Sequence, residues 1–170
     1  MSSTNPESLI IQELSAQDWE RFRDIRLASL QSDPDAFGGD VQKVSQESQS
    51  DWESKFEKIV PVVAVLEGKD CALLTIENLT GDFGATCWIG GCWVDPSVRG
   101  RGLMRALFEY LDENAQKRNW QIQGLGVWQY NQSAIDVYLS LGFENKGEPV
   151  PSTSKPGLFY QRMIREVGQK

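Results

Sequence analysis

At 170 residues, 40% hydrophobic and 24% charged, the chain is sized for one domain with its own core, and its net charge of −7 argues against a nucleic-acid partner. It has no histidine, and its three cysteines, Cys71, Cys87 and Cys92, form no C-x-x-C pair, so zinc sites and Ser-His or Cys-His nucleophilic machinery are set aside. The polar opening "MSSTNPES" is no signal peptide and no apolar run approaches the roughly 18 residues of a membrane span, so a soluble, cytoplasmic protein with reduced, buried cysteines is expected.

"LIIQEL" (9–14) reads as a first strand behind a flexible 1–7 segment. Ser15 followed by Asp18 resembles a capping box, and Trp19, Phe22, Ile25/Arg26 and Leu30 recur at helical spacing until "SDPDAFGG" ends the pattern. A shorter helix is expected over 50–59, with Trp52, Phe56 and Ile59 on one face. Two strands follow around the turn Glu67-Gly68-Lys69-Asp70, then "ATCWIGGCWVD" as another, whose Gly90-Gly91 pair suggests a bulge or a close backbone approach. From Gly102 the pattern is helical: Leu103, Leu107, Tyr110, Leu111 and Ala115 form one stripe as far as Arg118. "WQIQGLGVW" is a strand, "SAIDVYLSL" a short helix ended by Gly142, and "FENKGEP" with "GLFYQRMIREV" a closing strand pair. The order implies a mixed α/β sheet within a single domain, 1–170, and the strand-helix-strand unit over 85–128 requires a parallel pair with a right-handed crossover.

The stretch "WVDPSVRGRGLM" (93–104) carries the chemistry. A strand runs into a helix there, and a helix N-terminus attracts anions through its unpaired amides and partial positive charge. Gly100 and Gly102 let a ligand reach the backbone, while Arg99, Arg101 and Arg105 supply charge and planar donors suited to phosphate oxygens. The turn is suited to a diphosphate. It carries neither the P-loop pattern nor the third glycine of the dinucleotide fingerprint. A second segment, "NQSAIDVYLSLGF", places Asn131 at a helix entry and Tyr138 two turns later on nearly the same face. Taken alone, Tyr138 reads as a core aromatic and Asn131 as an N-cap.

Together the two segments resemble the GCN5-related N-acetyltransferase (GNAT) superfamily. Its acetyl-CoA turn, [RQ]-x-x-G-x-[GA], stands here as Arg99-Gly100-Arg101-Gly102-Leu103-Met104 after Val94-Asp95-Pro96. Its N-x-x-A-x-x-x-Y-x-x-x-G-F segment is present as Asn131, Ala134, Tyr138, Gly142 and Phe143. The resemblance implies a mixed sheet of about seven strands flanked by four helices, acetyl-CoA as cosubstrate, no metal, an amine acceptor and, as in many relatives, a homodimer. It also implies residue roles. Main-chain groups of Cys92 and Val94 pair with the pantetheine arm as an added strand, and the Val94 amide polarises the thioester carbonyl. The amides of Gly100, Gly102, Met104 and Arg105 hold the pyrophosphate, Asn131 contacts the cofactor, and Tyr138 protonates the departing thiolate.

Two positions depart from the family pattern. Met104 stands where Gly or Ala is usual, so its longer side chain needs room. Trp88 stands where many members carry a carboxylate base for the acceptor amine. Glu77 on the preceding strand is the substitute candidate, although it also reads as an ordinary strand-end carboxylate. The acceptor is expected near 35–39 and 149–157, with Trp88, Trp93 and Phe37 as wall candidates. Transfer of acetyl from acetyl-CoA to a primary amine by direct attack is the leading expectation; the alternative is a noncatalytic CoA-binding module.

Overall fold

The computed structural model describes residues 8–33 and 41–167; the 1–7 segment, Phe37 and the remainder of 34–40 lie outside the described residues. The elements in chain order are β1 (Leu9–Glu13), α1 (Trp19–Ser32), α2 (Val41–Ser45), α3 (Gln49–Lys55), β2 (Ile59–Leu66), β3 (Lys69–Asn78) and β4 (Cys87–Val94). They continue with α4 (Leu103–Glu113), α5 (Ala115–Arg118), β5 (Ile122–Trp128), α6 (Gln132–Ser140), β6 (Glu144–Pro151) and β7 (Phe159–Glu166). The strands make one seven-stranded sheet in the order β1-β2-β3-β4-β5-β7-β6. Every neighbouring pair is antiparallel except β4–β5, the parallel pair demanded by the crossover through α4.

Local chemistry accounts for the boundaries. At Ser15 the backbone N–H donates to the Asp18 carboxylate at 3.0 Å, as the capping pattern suggested, and leads through a short 3₁₀ turn into α1. The β2–β3 hairpin closes on Glu67 and Gly68, both at positive φ (51° and 80°), the geometry whose twist suits a two-residue hairpin. Two helix ends differ from expectation. The helix expected over 50–59 stops at Lys55, because Ile59 pairs with Glu77 as the first residue of β2. The long stripe to Arg118 breaks at Asn114, whose Nδ2 donates to the Tyr110 carbonyl at 2.8 Å, four residues back.

The centre of the sheet is buried on both faces, so β2 is apolar throughout and β3 carries the unbroken apolar run Cys71–Leu74 rather than alternating. One face packs Ala72, Leu74, Ile76 and Ile89 against Leu103, Leu107, Phe108 and Leu111 of α4 and Tyr138 of α6. The other packs Val63, Val65, Leu73 and Trp93 against Phe22 and Ile25 of α1 and Trp52 of α3. Tyr110 and Arg118 both donate to the Glu13 carboxylate (2.5 and 2.6 Å), tying the helix layer to the edge strand β1.

Candidate active site

The centre of the sheet opens because β4 and β5 pair only over Cys87–Ile89 and Gln123–Leu125. Beyond that point β4 bulges. Leu73 faces Trp93 and Thr75 faces Gly90, so Gly91 and Cys92 together oppose the single residue Leu74. Gly91 takes φ 63°, which glycine adopts without a Cβ penalty, so the Gly90-Gly91 pair does mark a bulge. The edge of β4 from residue 90 onward is thereby left without pairing to β5.

The turn after β4 is built from local hydrogen bonds. Asp95 accepts from the Ser97 N–H at 2.9 Å and the Ser97 hydroxyl at 2.8 Å, and Pro96 starts a 3₁₀ turn. Gly100 and Gly102 follow at φ 84° and 79°, and a Cβ added to either would meet nothing within 4 Å. Both therefore face open space, with the first amides of α4 beyond them lacking helical acceptors. Arg99 is engaged within the protein: its Nη2 donates to Asp33 at 2.7 Å and its Nε to the Val94 carbonyl at 2.8 Å. Trp93 Nε1 donates to the same Asp33 carboxylate at 2.9 Å. Burial alone would raise the Asp33 pKa, but the bonds from Ser32, Arg99 and Trp93 outweigh it and hold the carboxyl below its ordinary value. Val94, Arg99, Gly100, Gly102, Met104 and Arg105 all line a cleft of about 500 Å³. Met104 finds room by packing its side chain partly against the core. Arg101 is exposed and outside that wall.

Across the cleft, Asn131 caps α6 by accepting from the Ala134 N–H at 3.3 Å. Two turns on, Tyr138 is buried edge-on against Phe108 and Phe143, so it is a core aromatic and a cleft residue at once. Burial raises its hydroxyl pKa well above the ordinary value, helped by the neighbouring Cys92 thiol, with which it shares a hydrogen bond. Burial likewise pushes the Cys92 thiol up to about 11. At neutral pH both stay protonated.

A second cleft, of about 310 Å³, lies on the α1 side of the splayed strands. Its walls include Trp88, Trp128, Tyr160 and Arg26, which sequence reasoning placed only as part of the α1 stripe. Gly124 and Gly126 of β5 make room for this aromatic surface: an added Cβ would come within 2.4 Å of the Trp88 ring and 3.1 Å of the Tyr160 ring. The two clefts meet at Cys92, Asn131, Ala134 and Tyr138. Of the three wall candidates, Trp88 lines this second cleft, whereas Trp93 lines the first, since the bulge turns it towards Asp33. Phe37 lies outside the described residues. Glu77 pairs in register with Trp88 but belongs to neither wall. Among the described residues, no three of His, Cys, Asp and Glu gather where they could hold a metal ion. None of the described helices is long and apolar enough to cross a membrane.

Comparison with known proteins agrees with this geometry. An uncharacterised N-acetyltransferase of Methanocaldococcus jannaschii is 46% identical over 54 residues, 32% of this chain and 24% of that protein, so the match spans about a quarter of the relative's length. A GNAT-family acetyltransferase of Streptococcus pneumoniae superposes with a TM-score of 0.75 at 19% identity, covering 94% of this chain and 99% of its own. The Salmonella typhimurium protein yncA, solved with its cofactor acetyl-CoA, superposes with a TM-score of 0.69 at 17% identity, covering 96% of each chain. The model of the acetyltransferase (GNAT) family matches residues 19–143, the span that holds the glycine-arginine turn, the bulged strand and the Asn131–Phe143 segment, and the chain belongs to that family.

Proposed function

We propose that the protein is a cytoplasmic N-acetyltransferase that moves an acetyl group from acetyl-CoA to a primary amine by direct attack within a ternary complex. One observation carries this reading: a cleft floored by the glycine-arginine turn and a second, aromatic cleft open onto the same tyrosine, Tyr138. The left-handed glycines and the start of α4 are suited to the diphosphate, since their amides face space that no side chain fills. The edge of β4 from residue 90 onward, unpaired with β5, is suited to an extended pantetheine arm, and an arm bound there would bring the thioester to the Cys92–Val94 end beside Tyr138.

The residues divide the work as follows. The Val94 N–H is assigned to the thioester oxygen, where charge develops during attack. As the acceptor nitrogen forms its bond to the carbonyl carbon, the C–S bond breaks and the sulfur takes the Tyr138 proton. A raised hydroxyl pKa keeps that proton available at neutral pH. Cys92 sits at the same junction, but with its thiol pushed up to about 11 it holds almost no thiolate, which favours direct transfer over an acyl-cysteine route. A proton leaving the amine passes through water; Glu77, across the β3–β4 pair beneath Trp88, is the nearby carboxylate we assign to receive it.

One feature favours a second reading, a noncatalytic CoA-binding module: Trp88 stands where a carboxylate base would face the acceptor. Thermal melting with acetyl-CoA, NADH and ATP, followed by CoA release against a panel of amines, separates the two. The transferase reading expects a melting shift specific to acetyl-CoA together with amine-dependent CoA release. A shift without release for any amine favours the module, and no shift removes both.

A further inference from the structure

The acceptor-side cleft has a chemical character of its own. Among the described residues that line it, Arg26 is the sole charged side chain; the others are aromatic, aliphatic, glycine, Asn131 and Cys92. Arg26 comes from α1 and is half-buried, and although burial lowers its pKa, a guanidinium stays cationic at neutral pH. Its Nη1 lies 3.8 Å from where a Cβ on Gly91 would stand. Gly91 immediately precedes Cys92, at the junction where the acceptor nitrogen must arrive. The cleft thus holds a positive charge beside Gly91, on the wall it shares with Cys92 and Tyr138. A guanidinium there would repel an ammonium-rich acceptor, and its planar fork matches a carboxylate. The volume, about 310 Å³, is at the small end of ligand clefts. Trp88, Trp128 and Tyr160 offer the remaining wall to an apolar side chain.

We infer that the acceptor is a free α-amino acid with an apolar side chain, bound through its carboxylate by Arg26. This rests on the acetyltransferase reading and narrows its substrate class. The reaction forms an amide bond between the α-nitrogen and the acetyl carbon and breaks the C–S bond. The ammonium first gives one proton to solvent; on attack the sulfur leaves with the Tyr138 proton, the remaining nitrogen proton passes through water and Glu77 and the tyrosine is reprotonated, so the products are an N-acetyl amino acid, CoA and one released proton.

The test compares leucine, methionine and phenylalanine with their carboxamides and decarboxylated amines, alongside a lysine peptide and a polyamine, by CoA release. The free acids are expected to exceed the amides and amines in kcat/KM by roughly 10–100-fold, expressed mainly in KM, as for a hydrogen-bonded charge pair. Arg26→Gln should collapse that ratio towards unity, and Arg26→Lys should retain part of it. If Arg26→Gln does not fold, the wild-type ratio decides. Amides or amines equal to the acids, or a preference for the peptide or polyamine, would overturn the inference. Calorimetric titration of N-acetyl-leucine and its amide into the CoA-loaded protein gives an arm independent of turnover. Tighter binding of the acid supports the inference even if no amine is acetylated, an outcome that counts against the transferase reading alone. Equal or absent binding of the acid overturns it.

Discussion

Gly102 and Gly68 form a matched pair of positions for separating backbone strain from ligand binding. Their φ values are 79° and 80°, and a Cβ added to either meets no atom within 4 Å. Valine at each should therefore cost the same left-handed strain, about 1–3 kcal/mol, with no clash at its Cβ. For a chain of this size that lowers Tm by about 2–12 °C. The two sites differ in what lies in front of them: Gly102 lines the cofactor-side cleft, and Gly68 sits in the β2–β3 turn outside it. At 100 times its dissociation constant acetyl-CoA should add about 2.7 kcal/mol, or about 5–11 °C in Tm. Gly68→Val should keep that increment in full. Gly102→Val should lose at least half of it, since a tenfold weaker Kd at the same concentration halves the gain. Differential scanning fluorimetry of the three proteins with and without acetyl-CoA reads both quantities. A full shift in Gly102→Val, or an equal loss in Gly68→Val, would remove the diphosphate from the Gly100–Gly102 turn.

Tyr138→Phe keeps the edge-on packing against Phe108 and Phe143 and removes only the hydroxyl; kcat should fall roughly 10–100-fold, with the acetyl-CoA shift unchanged. Unchanged turnover in a chemistry-limited assay would leave Tyr138 a packing residue alone. Gly124→Ala places a Cβ within 2.4 Å of the Trp88 ring, which must move; acceptor KM should rise while the acetyl-CoA shift persists, and an unaltered KM would take Trp88 out of the acceptor wall. For Glu13, burial would raise the pKa, but the bonds from Arg118 and Tyr110 outweigh it and leave it lowered. Its contribution is thus present above the ordinary carboxylate pKa and lost as pH falls through the folded value. The Tm gap between wild type and Glu13→Gln should accordingly narrow from pH 6 to pH 3, and a constant gap would refute the linkage.

The wall of the first cleft was legible because its residues are local in sequence. Gly100, Gly102 and the arginines stand within a few residues of a strand end, Asn131 and Tyr138 lie two turns apart, and the family resemblance joined the two segments. The bulge was legible for the same reason, a glycine pair inside an apolar strand. The wall of the second cleft, Trp88 apart, was not. Arg26, Trp88, Trp128 and Tyr160 come from α1, β4, β5 and β7, and only sheet order makes them neighbours. Two signals did exist. A charge inside the apolar stripe of α1 and the alternating glycines of "QGLGVW" both break a periodicity that a plain core would keep. The overlong helix over 50–59 arose because Phe56 and Ile59 are three apart, a spacing that helix and strand entry share; only pairing with Glu77 assigns Ile59 to the sheet.

The two-for-one bulge in β4 also reverses the parity of the strand. Before it, odd-numbered Cys87 and Ile89 face the α4 layer, and Trp88 faces the second cleft. After it, even-numbered Cys92 and Val94 face α4, and odd-numbered Trp93 points to the α1 layer. A strand whose phase resets midway behaves as two short strands spliced end to end. Substitutions upstream of Gly91 can remodel the second cleft without altering the facing of Cys92 and Val94. Deleting Gly91 alone would restore a single phase and swap Trp93 with Cys92 and Val94, driving an indole into the α4 layer and exchanging the junction thiol for a side chain from the opposite face. In this strand, length is the constrained variable and composition the adjustable one.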